Sequence, residues 1–151
     1  MPIRPAPPRP NHDSYVVLVA LGVTPVMAFG QGLVSGNLRK PAKVPYPNPY
    51  ASEQQAKENQ AAYKFNCSQR SHGNFLENMP QTMMFMLFAG LEYPTAAAAL
   101  GVGWLVFRAI YAYGYIQSTK PQGKGRLNGS GFWLMQGGLW GLCCATALKM
   151  I

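Results

Sequence analysis

The sequence predicts an all-α integral membrane protein built as a bundle of four transmembrane helices. Hydrophobic residues make up 48% of the 151 residues and charged residues only 12%, which favours a membrane protein. Several windows of about 20 mostly apolar residues follow one another, which is the length that a helix needs to cross a bilayer. Polar stripes enter two of these windows, and charged groups at such depth usually serve a function.

The apolar windows cover residues 15–34, 74–91, 95–116 and 131–148. The opening residues 1–14 are rich in proline and predict a disordered tail ahead of a single domain over residues 15–151. A cleaved signal peptide is the alternative for the first window. That window is longer than the usual apolar core of a signal peptide, about 7–15 residues, so a retained first span is favoured.

Prolines and glycines mark particular places in the predicted helices. Pro25 predicts a kink in the first helix, and Pro80 predicts a bend in the second. Two glycine pairs, Gly32 with Gly36 and Gly137 with Gly141, have the four-residue spacing that lets helices approach closely. We interpret both pairs as packing seams, either within the bundle or between subunits.

The connection between the first two spans has two parts. Residues 41–49 contain several prolines and predict an extended loop. Residues 52–62 are polar and favour helix, so the second helix should begin within this stretch or shortly after it. Its first turns would then extend beyond the bilayer.

The net charge of +8 is distributed in a way that indicates membrane topology. Basic residues crowd the connections between spans one and two and between spans three and four, whereas the connection between spans two and three holds only Glu92. The positive-inside rule therefore places the two basic connections in the cytosol and both termini on the opposite side. No basic stretch alternates with aromatic residues as in an RNA-binding surface, which disfavours a nucleic-acid partner.

A first polar stripe leads into the second span. Arg70, Asn74 and Glu77 have i, i+4, i+7 spacing, so a helix presents all of them on one face. Glu77 lies deepest and would be costly without a partner. Two alternatives to a ligand site remain, namely that Arg70 extends to the interface or that it pairs with Glu77 only to specify the bundle.

A second polar stripe ends the third span. Arg108, Tyr111 and Tyr115 have i, i+3, i+7 spacing and again share a helix face. Tyr113 lies on another face and fits an interfacial aromatic belt. Arg108 could also extend to the interface.

The cysteines Cys67, Cys143 and Cys144 form neither a disulfide framework nor a metal-binding spacing. Cys143 and Cys144 are interpreted as small packing residues in the fourth span. Cys67 precedes Arg70 by three residues, so it is either a packing residue or a thiol made reactive by that charge.

Two motifs resemble a known family. The pattern FNCxQRxHxNxxE begins at Phe65, and RAIYAYGY begins at Arg108 some thirty residues later. With the Arg39-Lys40 pair that closes the first span, they resemble the MAPEG superfamily of membrane glutathione enzymes, and within it the type 3 microsomal glutathione transferases. The resemblance extends over nearly the whole chain after Ser14.

The resemblance implies a homotrimer that binds glutathione between subunits near the cytosolic face. It implies conjugation of glutathione to lipophilic electrophiles and reduction of lipid hydroperoxides. Separately, a chain with several spans and no evident transit peptide is expected in the endoplasmic reticulum membrane, with the outer mitochondrial membrane as the alternative. No metal is implied. The implied glutathione ligands are Arg39, Arg70, His72, Asn74, Glu77, Arg108, Tyr111 and Tyr115. Arg126 is the candidate for the arginine that activates the thiol, and Lys124 competes for that position because the loop is one residue longer than in similar chains.

The residue types suit this substrate. Arg39, Arg70 and Arg108 can bind the two carboxylates of glutathione, and Glu77 can hold its ammonium group. Asn78 stands where some relatives have a tyrosine, and Lys40 stands where leukotriene C synthase has a second arginine, which disfavours leukotriene synthesis.

Two other functions are alternatives to the enzyme. A non-catalytic lipid-binding scaffold of the same fold, like the 5-lipoxygenase-activating protein, is the main rival. A small channel or transporter would need polar residues across the whole bilayer, whereas here they cluster toward one side.

Overall fold

The computed structural model describes residues 12–117 and 120–151, and the regular structure in these residues is helical. Residues 1–11 of the predicted tail lie outside the described part. In chain order the elements are α1 (His12–Val17), a π-helical segment (Leu18–Val23), α2 (Thr24–Ala42), α3 (Glu53–Glu58), α4 (Gln60–Gly90), α5 (Pro94–Gln117), a 3-10 segment (Pro121–Gly129) and α6 (Phe132–Lys149).

The first helix runs from α1 through the π-helical segment into α2, because the backbone stays helical at Val17 and Val23. Pro25 has no N–H and so leaves a carbonyl of the preceding turn without its helical partner. The backbone N–H of Thr24 donates to the carbonyl of Val19, five residues back, and the Thr24 hydroxyl donates to the same carbonyl at 2.8 Å. The disturbance that we predicted at Pro25 therefore takes the form of a π-helical stretch just before it.

The connection after α2 is fastened to α4. Lys43 ends α2 in the left-handed conformation, with φ of 55°. The side chain of Asn66 exchanges two hydrogen bonds with the backbone of Ala51, at 2.8 and 2.9 Å. Ser52 then caps α3 and Asn59 caps α4, so α4 begins within the polar stretch, as its composition predicts.

The helix α4 is the longest element, at 31 residues, and packs against α2, α5 and α6. It continues past Pro80 without interruption. Two residues further on, the buried hydroxyl of Thr82 donates to the side-chain oxygen of Gln136 on α6 at 2.8 Å. The apolar core around it includes Phe75, Met86, Trp104 and Leu139, all fully buried.

The glycine pairs differ in what they contact. A Cβ added at Gly32 would lie 3.6 Å from the imidazole of His72, so this glycine packs within the chain. A Cβ added at Gly36, Gly137 or Gly141 would meet nothing within 4 Å. Packing of these three glycines between subunits stays a prediction.

Among the described residues, two helical stretches are long and apolar enough to cross a membrane. They are Tyr15–Ala42, with mean hydropathy 1.9, and Pro94–Gln117, with mean hydropathy 1.4. The other two predicted spans, 74–91 and 131–148, coincide with parts of α4 and α6 except for one residue each. The end of α2, the start of α4 and the end of α5 lie at one end of the bundle, which we call the loop end.

Candidate functional site

An ion pair on α4 forms the centre of the candidate site. Arg70 donates from Nη1 to Oε1 of Glu77 at 2.7 Å and from Nη2 to Oε2 at 3.5 Å. Asn74, between them on the same face, donates from Nδ2 to Oε2 of Glu77 at 3.4 Å. The Arg70 and Glu77 side chains are 49% and 55% exposed, so both charges remain accessible to a ligand.

Arg108 joins this group from α5. Its Nη1 donates to Oδ1 of Asn74 at 2.9 Å, and the residue is only 1% exposed. The alternative in which Arg108 extends to the interface is therefore excluded. Its Nε and Nη2 have no hydrogen-bond partner among the described residues.

Aromatic rings surround the Arg108 guanidinium. Its carbon lies between 4.6 and 5.6 Å from the ring centroids of Phe75, Trp104, Tyr111 and Phe132. Cation–π attraction and burial therefore hold the side chain in place. Because Arg108 donates to Oδ1 of Asn74, the Nδ2 atom of that carboxamide is the one that faces Glu77.

The two tyrosines of the second stripe extend the site toward the loop end. The rings of Tyr111 and Tyr115 meet edge to face with centroids 5.7 Å apart. The guanidinium carbon of Arg126, in the 3-10 segment, lies 5.4 Å from the Tyr115 ring centroid. The structure thus brings Arg70, Asn74, Glu77, Arg108, Tyr111, Tyr115 and Arg126 into one continuous region.

Close backbone contact places the 3-10 segment on α5. A Cβ at Gly114 of α5 would collide with the carbonyl oxygen of Gly125, and a Cβ at Gly129 would collide with the backbone of Tyr111. Gly123 has φ of 61°, and a Cβ there would collide with the ring of Tyr115. Glycines at these positions let the segment lie directly against the tyrosines.

Arg126 is held in place by this segment, whereas Lys124 is exposed. Arg126 donates from Nη1 to the carbonyls of Gln122, at 2.8 Å, and Gly123, at 3.0 Å. These bonds and the Tyr115 ring orient its half-buried guanidinium. The geometry therefore favours Arg126 over Lys124 as the positive charge nearest to a ligand bound beside Tyr115.

A cleft of about 660 Å³ opens beside these residues, lined among others by Tyr63, Cys67, Arg70, Tyr115 and Gly123. The Cys67 side chain is 5% exposed. Burial raises the pKa of the Cys67 thiol, against smaller lowering contributions from the Tyr63 hydrogen bond and the Arg126 charge. The structure therefore favours a packing role for Cys67 over a reactive one.

Arg39 and His72 lie apart from this region within one chain. Arg39 donates to the carbonyl of Asn48 at 2.7 Å, and its guanidinium carbon lies 4.2 Å from the Tyr46 ring centroid and 4.8 Å from that of Phe65. His72 follows Arg70 by two positions, so it projects from a nearly opposite face of α4, toward Gly32. The structure does not bring these two predicted ligands to the Arg70 cluster.

Tyr63 also lines the cleft beside Arg70 and was not among the predicted site residues. This residue precedes Arg70 by seven positions and Cys67 by four, so the stripe on α4 continues for two turns toward the loop end. Extending the i, i+4, i+7 pattern of α4 backward from Arg70 would have found it. Asn78, by contrast, donates to the backbone carbonyl of Asn74 at 2.7 Å and does not join the charges of the stripe.

The fold and site define a class of helical membrane proteins with a charged cluster beside a cleft at the loop end of the bundle. Residues 17–145 match the family model described as "MAPEG family", and the chain belongs to this family. The family is membrane-associated and includes both glutathione transferases and non-catalytic activators. Its members generally bind glutathione and form trimers.

Proposed function

We propose that this protein is a membrane glutathione transferase with glutathione peroxidase activity, of the type 3 microsomal kind. The observation that carries the proposal is the half-exposed Arg70–Glu77 pair joined through Asn74 to buried Arg108, beside a cleft that also meets Tyr115. A scaffold needs no such accessible pair of opposite charges.

Glutathione carries two carboxylates, one ammonium group and one thiol, and the cluster offers a partner to one carboxylate and to the ammonium group. Arg70 binds a carboxylate through paired charge-assisted hydrogen bonds. Glu77 receives the ammonium group, and the Asn74 carboxamide, held by Arg108, keeps the Glu77 carboxylate in position. Glutathione thereby replaces part of the Arg70–Glu77 contact with contacts of its own.

Arg126 is proposed as the thiol-activating residue. A thiol with an ordinary pKa of about 8.5 is mostly protonated at neutral pH, and the thiolate is the nucleophile. A guanidinium next to the sulfur lowers the thiol pKa, and a shift of two units corresponds to about 2.7 kcal/mol. The Arg126 contacts with Gln122, Gly123 and Tyr115 support this role because they fix its position before the substrate arrives.

The thiolate then reacts with a lipophilic partner from the bilayer. In conjugation, the sulfur attacks an electrophilic carbon, a C–S bond forms, and the bond to the leaving group breaks with its electron pair. In peroxide reduction, the sulfur attacks the outer oxygen of a hydroperoxide, the O–O bond breaks, and a glutathione sulfenic acid forms. The released alkoxide takes a proton from water and becomes the alcohol. A second glutathione reduces the sulfenic acid, which yields glutathione disulfide and water.

A homotrimer of four-span subunits accounts for Arg39 and His72. These two side chains face away from the Arg70 cluster within one chain, so they reach a shared glutathione only across an interface with a neighbouring subunit. The proposed membrane is that of the endoplasmic reticulum, with the loop end in the cytosol where glutathione is supplied.

The test is an ultraviolet difference spectrum of the detergent-purified protein with glutathione near neutral pH. We expect a thiolate band in the wild type and in Lys124→Ala, and loss of the band in Arg126→Ala. Loss in Lys124→Ala alone would assign activation to Lys124 instead. Absence of the band and of turnover in the wild type would contradict the enzyme and favour the scaffold.

A further inference from the structure

A second cavity lies in the half of the bundle nearer the loop end, in a crevice between α2 and α5 that is floored by α4. Its volume is about 290 Å³, and its lining includes Gln31, Val34, Ser71, Tyr113 and Gln117. None of its lining residues also lines the cleft beside Arg70. The crevice is therefore separate from the candidate catalytic region.

Two of the side chains that line this crevice carry polar atoms without partners. The Nε2 and Oε1 atoms of Gln31 and the Oγ atom of Ser71 are buried and have no hydrogen-bond partner among the described residues. Ser71 is only 2% exposed. By contrast, nearby Ser68 is satisfied by a 2.7 Å hydrogen bond with Ser35. Leaving such groups unpaired is costly, so their presence indicates a ligand that supplies both acceptors and donors.

A positive charge stands at the rim of the crevice. Lys64 donates from Nζ to the side-chain oxygen of Gln117 at 3.4 Å. Lys64, Ser68 and Ser71 have i, i+4, i+7 spacing on α4, which separates Lys64 from Ser71 by about 10 Å along the helix axis. The lining residues include no acidic side chain. The crevice thus has a cation at its outer level and neutral polar groups deeper.

We propose that the crevice binds one anionic glycerophospholipid per chain, independently of the thiol chemistry. The phosphate would lie at Lys64 and Gln117, since basic pockets between membrane helices recognise anionic headgroups. In a bilayer the glycerol oxygens lie deeper than the phosphate, at the level of Gln31 and Ser71. The acyl chains leave past Tyr113, which is 70% exposed. A free fatty acid would satisfy only one of the two polar levels.

Native mass spectrometry of the delipidated protein in detergent tests this proposal, with phosphatidylglycerol and phosphatidylcholine of the same acyl chains as probes. We expect one phosphatidylglycerol per chain, bound at least tenfold more tightly than phosphatidylcholine. Lys64→Gln should abolish this preference, and Gln31→Leu and Ser71→Ala should each weaken binding at least threefold. The matched control Lys57→Gln removes an exposed lysine that pairs with Glu53 at 2.6 Å, and it should stay within twofold of the wild type.

Equal affinity for the two lipids, or an equal loss in Lys57→Gln, would reduce the effect to diffuse surface charge and overturn the proposal. Unchanged binding in Gln31→Leu would overturn it as well. Because Gln31→Leu removes two unpartnered buried groups, its apparent Tm without lipid should equal or exceed that of the wild type, which separates lost binding from misfolding. Efficient crosslinking of Gln31→Cys between chains would assign the crevice to a subunit contact instead.

Discussion

The hydroxyl of Tyr63 accepts a hydrogen bond from the backbone N–H of Gly123 at 2.9 Å. The carbonyl of the same glycine accepts from Arg126 at 3.0 Å. Gly123 thus donates its N–H to Tyr63 of α4, and its carbonyl accepts from Arg126, the proposed activating arginine. Tyr63 therefore acts as a positioning residue for Arg126.

Tyr63→Phe removes this hydrogen bond and leaves the ring in place. A net hydrogen bond contributes about 1 kcal/mol, so we expect a roughly threefold to tenfold smaller thiolate fraction for bound glutathione. The ultraviolet difference spectrum across pH measures this as a higher apparent thiol pKa. Tyr113→Phe, on another face of α5, is the control. An unchanged thiol pKa in Tyr63→Phe would show that Arg126 is positioned without Tyr63.

Glu77→Gln removes the acceptor of Arg70 and the proposed partner of the glutathione ammonium group. We expect glutathione affinity to fall at least tenfold, because the neutral amide offers the ammonium group no charge-assisted hydrogen bond. Isothermal titration with glutathione checks this. Glu92→Gln, which breaks the 3.0 Å pair with Lys149 at the opposite end of the bundle, should bind normally. Normal binding by Glu77→Gln would leave the ion pair a purely structural role.

Arg108→Lys keeps the charge but loses the planar group that faces four aromatic rings. The ammonium cannot reproduce both the stacking and the bond to Asn74, so we expect a loss of about 1–3 kcal/mol in stability. A lower apparent Tm at fixed scan rate in detergent measures the change. The Arg126→Lys variant, with its half-buried side chain, should shift the apparent Tm much less. Equal shifts in the two variants would mean that burial of Arg108 contributes little.

Gly123→Ala introduces a Cβ at positive φ and against the Tyr115 ring. We expect the 3-10 segment to move away from α5 and glutathione conjugation to fall at least tenfold. The matched control is Gly30→Ala, which adds a Cβ within α2 where nothing lies within 4 Å. The control should retain conjugation activity. Equal activity in both variants would rule out a tight contact between Gly123 and Tyr115.

Periodicity predicted the parts of the site that depend on a single helix. The spacing of Arg70, Asn74 and Glu77 places them on one face of α4, and the contacts among them follow from that face. The same periodicity places Tyr113 on a different face of α5 from Tyr111 and Tyr115. Helical geometry alone determines these relationships, so one sequence is enough to infer them.

Contacts between distant elements could not be predicted in this way. The bond from Gly123 to Tyr63 joins residues 60 positions apart. Likewise, the collision that a side chain at Gly114 would make with Gly125 depends on how the 3-10 segment folds back on α5. The π-helical segment before Pro25 was expected only as a kink, because the form of the distortion depends on the hydroxyl of Thr24.

The opposite orientation of Arg70 and His72 on α4 has a genetic consequence. If each glutathione lies between two subunits, one chain supplies the Arg70 cluster and its neighbour supplies Arg39 and His72. A chain defective at Arg70 and a chain defective at His72 would each be inactive alone. In a mixed oligomer, some interfaces would combine an intact Arg70 cluster from one chain with an intact Arg39 and His72 from its neighbour. Two inactive alleles would therefore complement each other within a single oligomer.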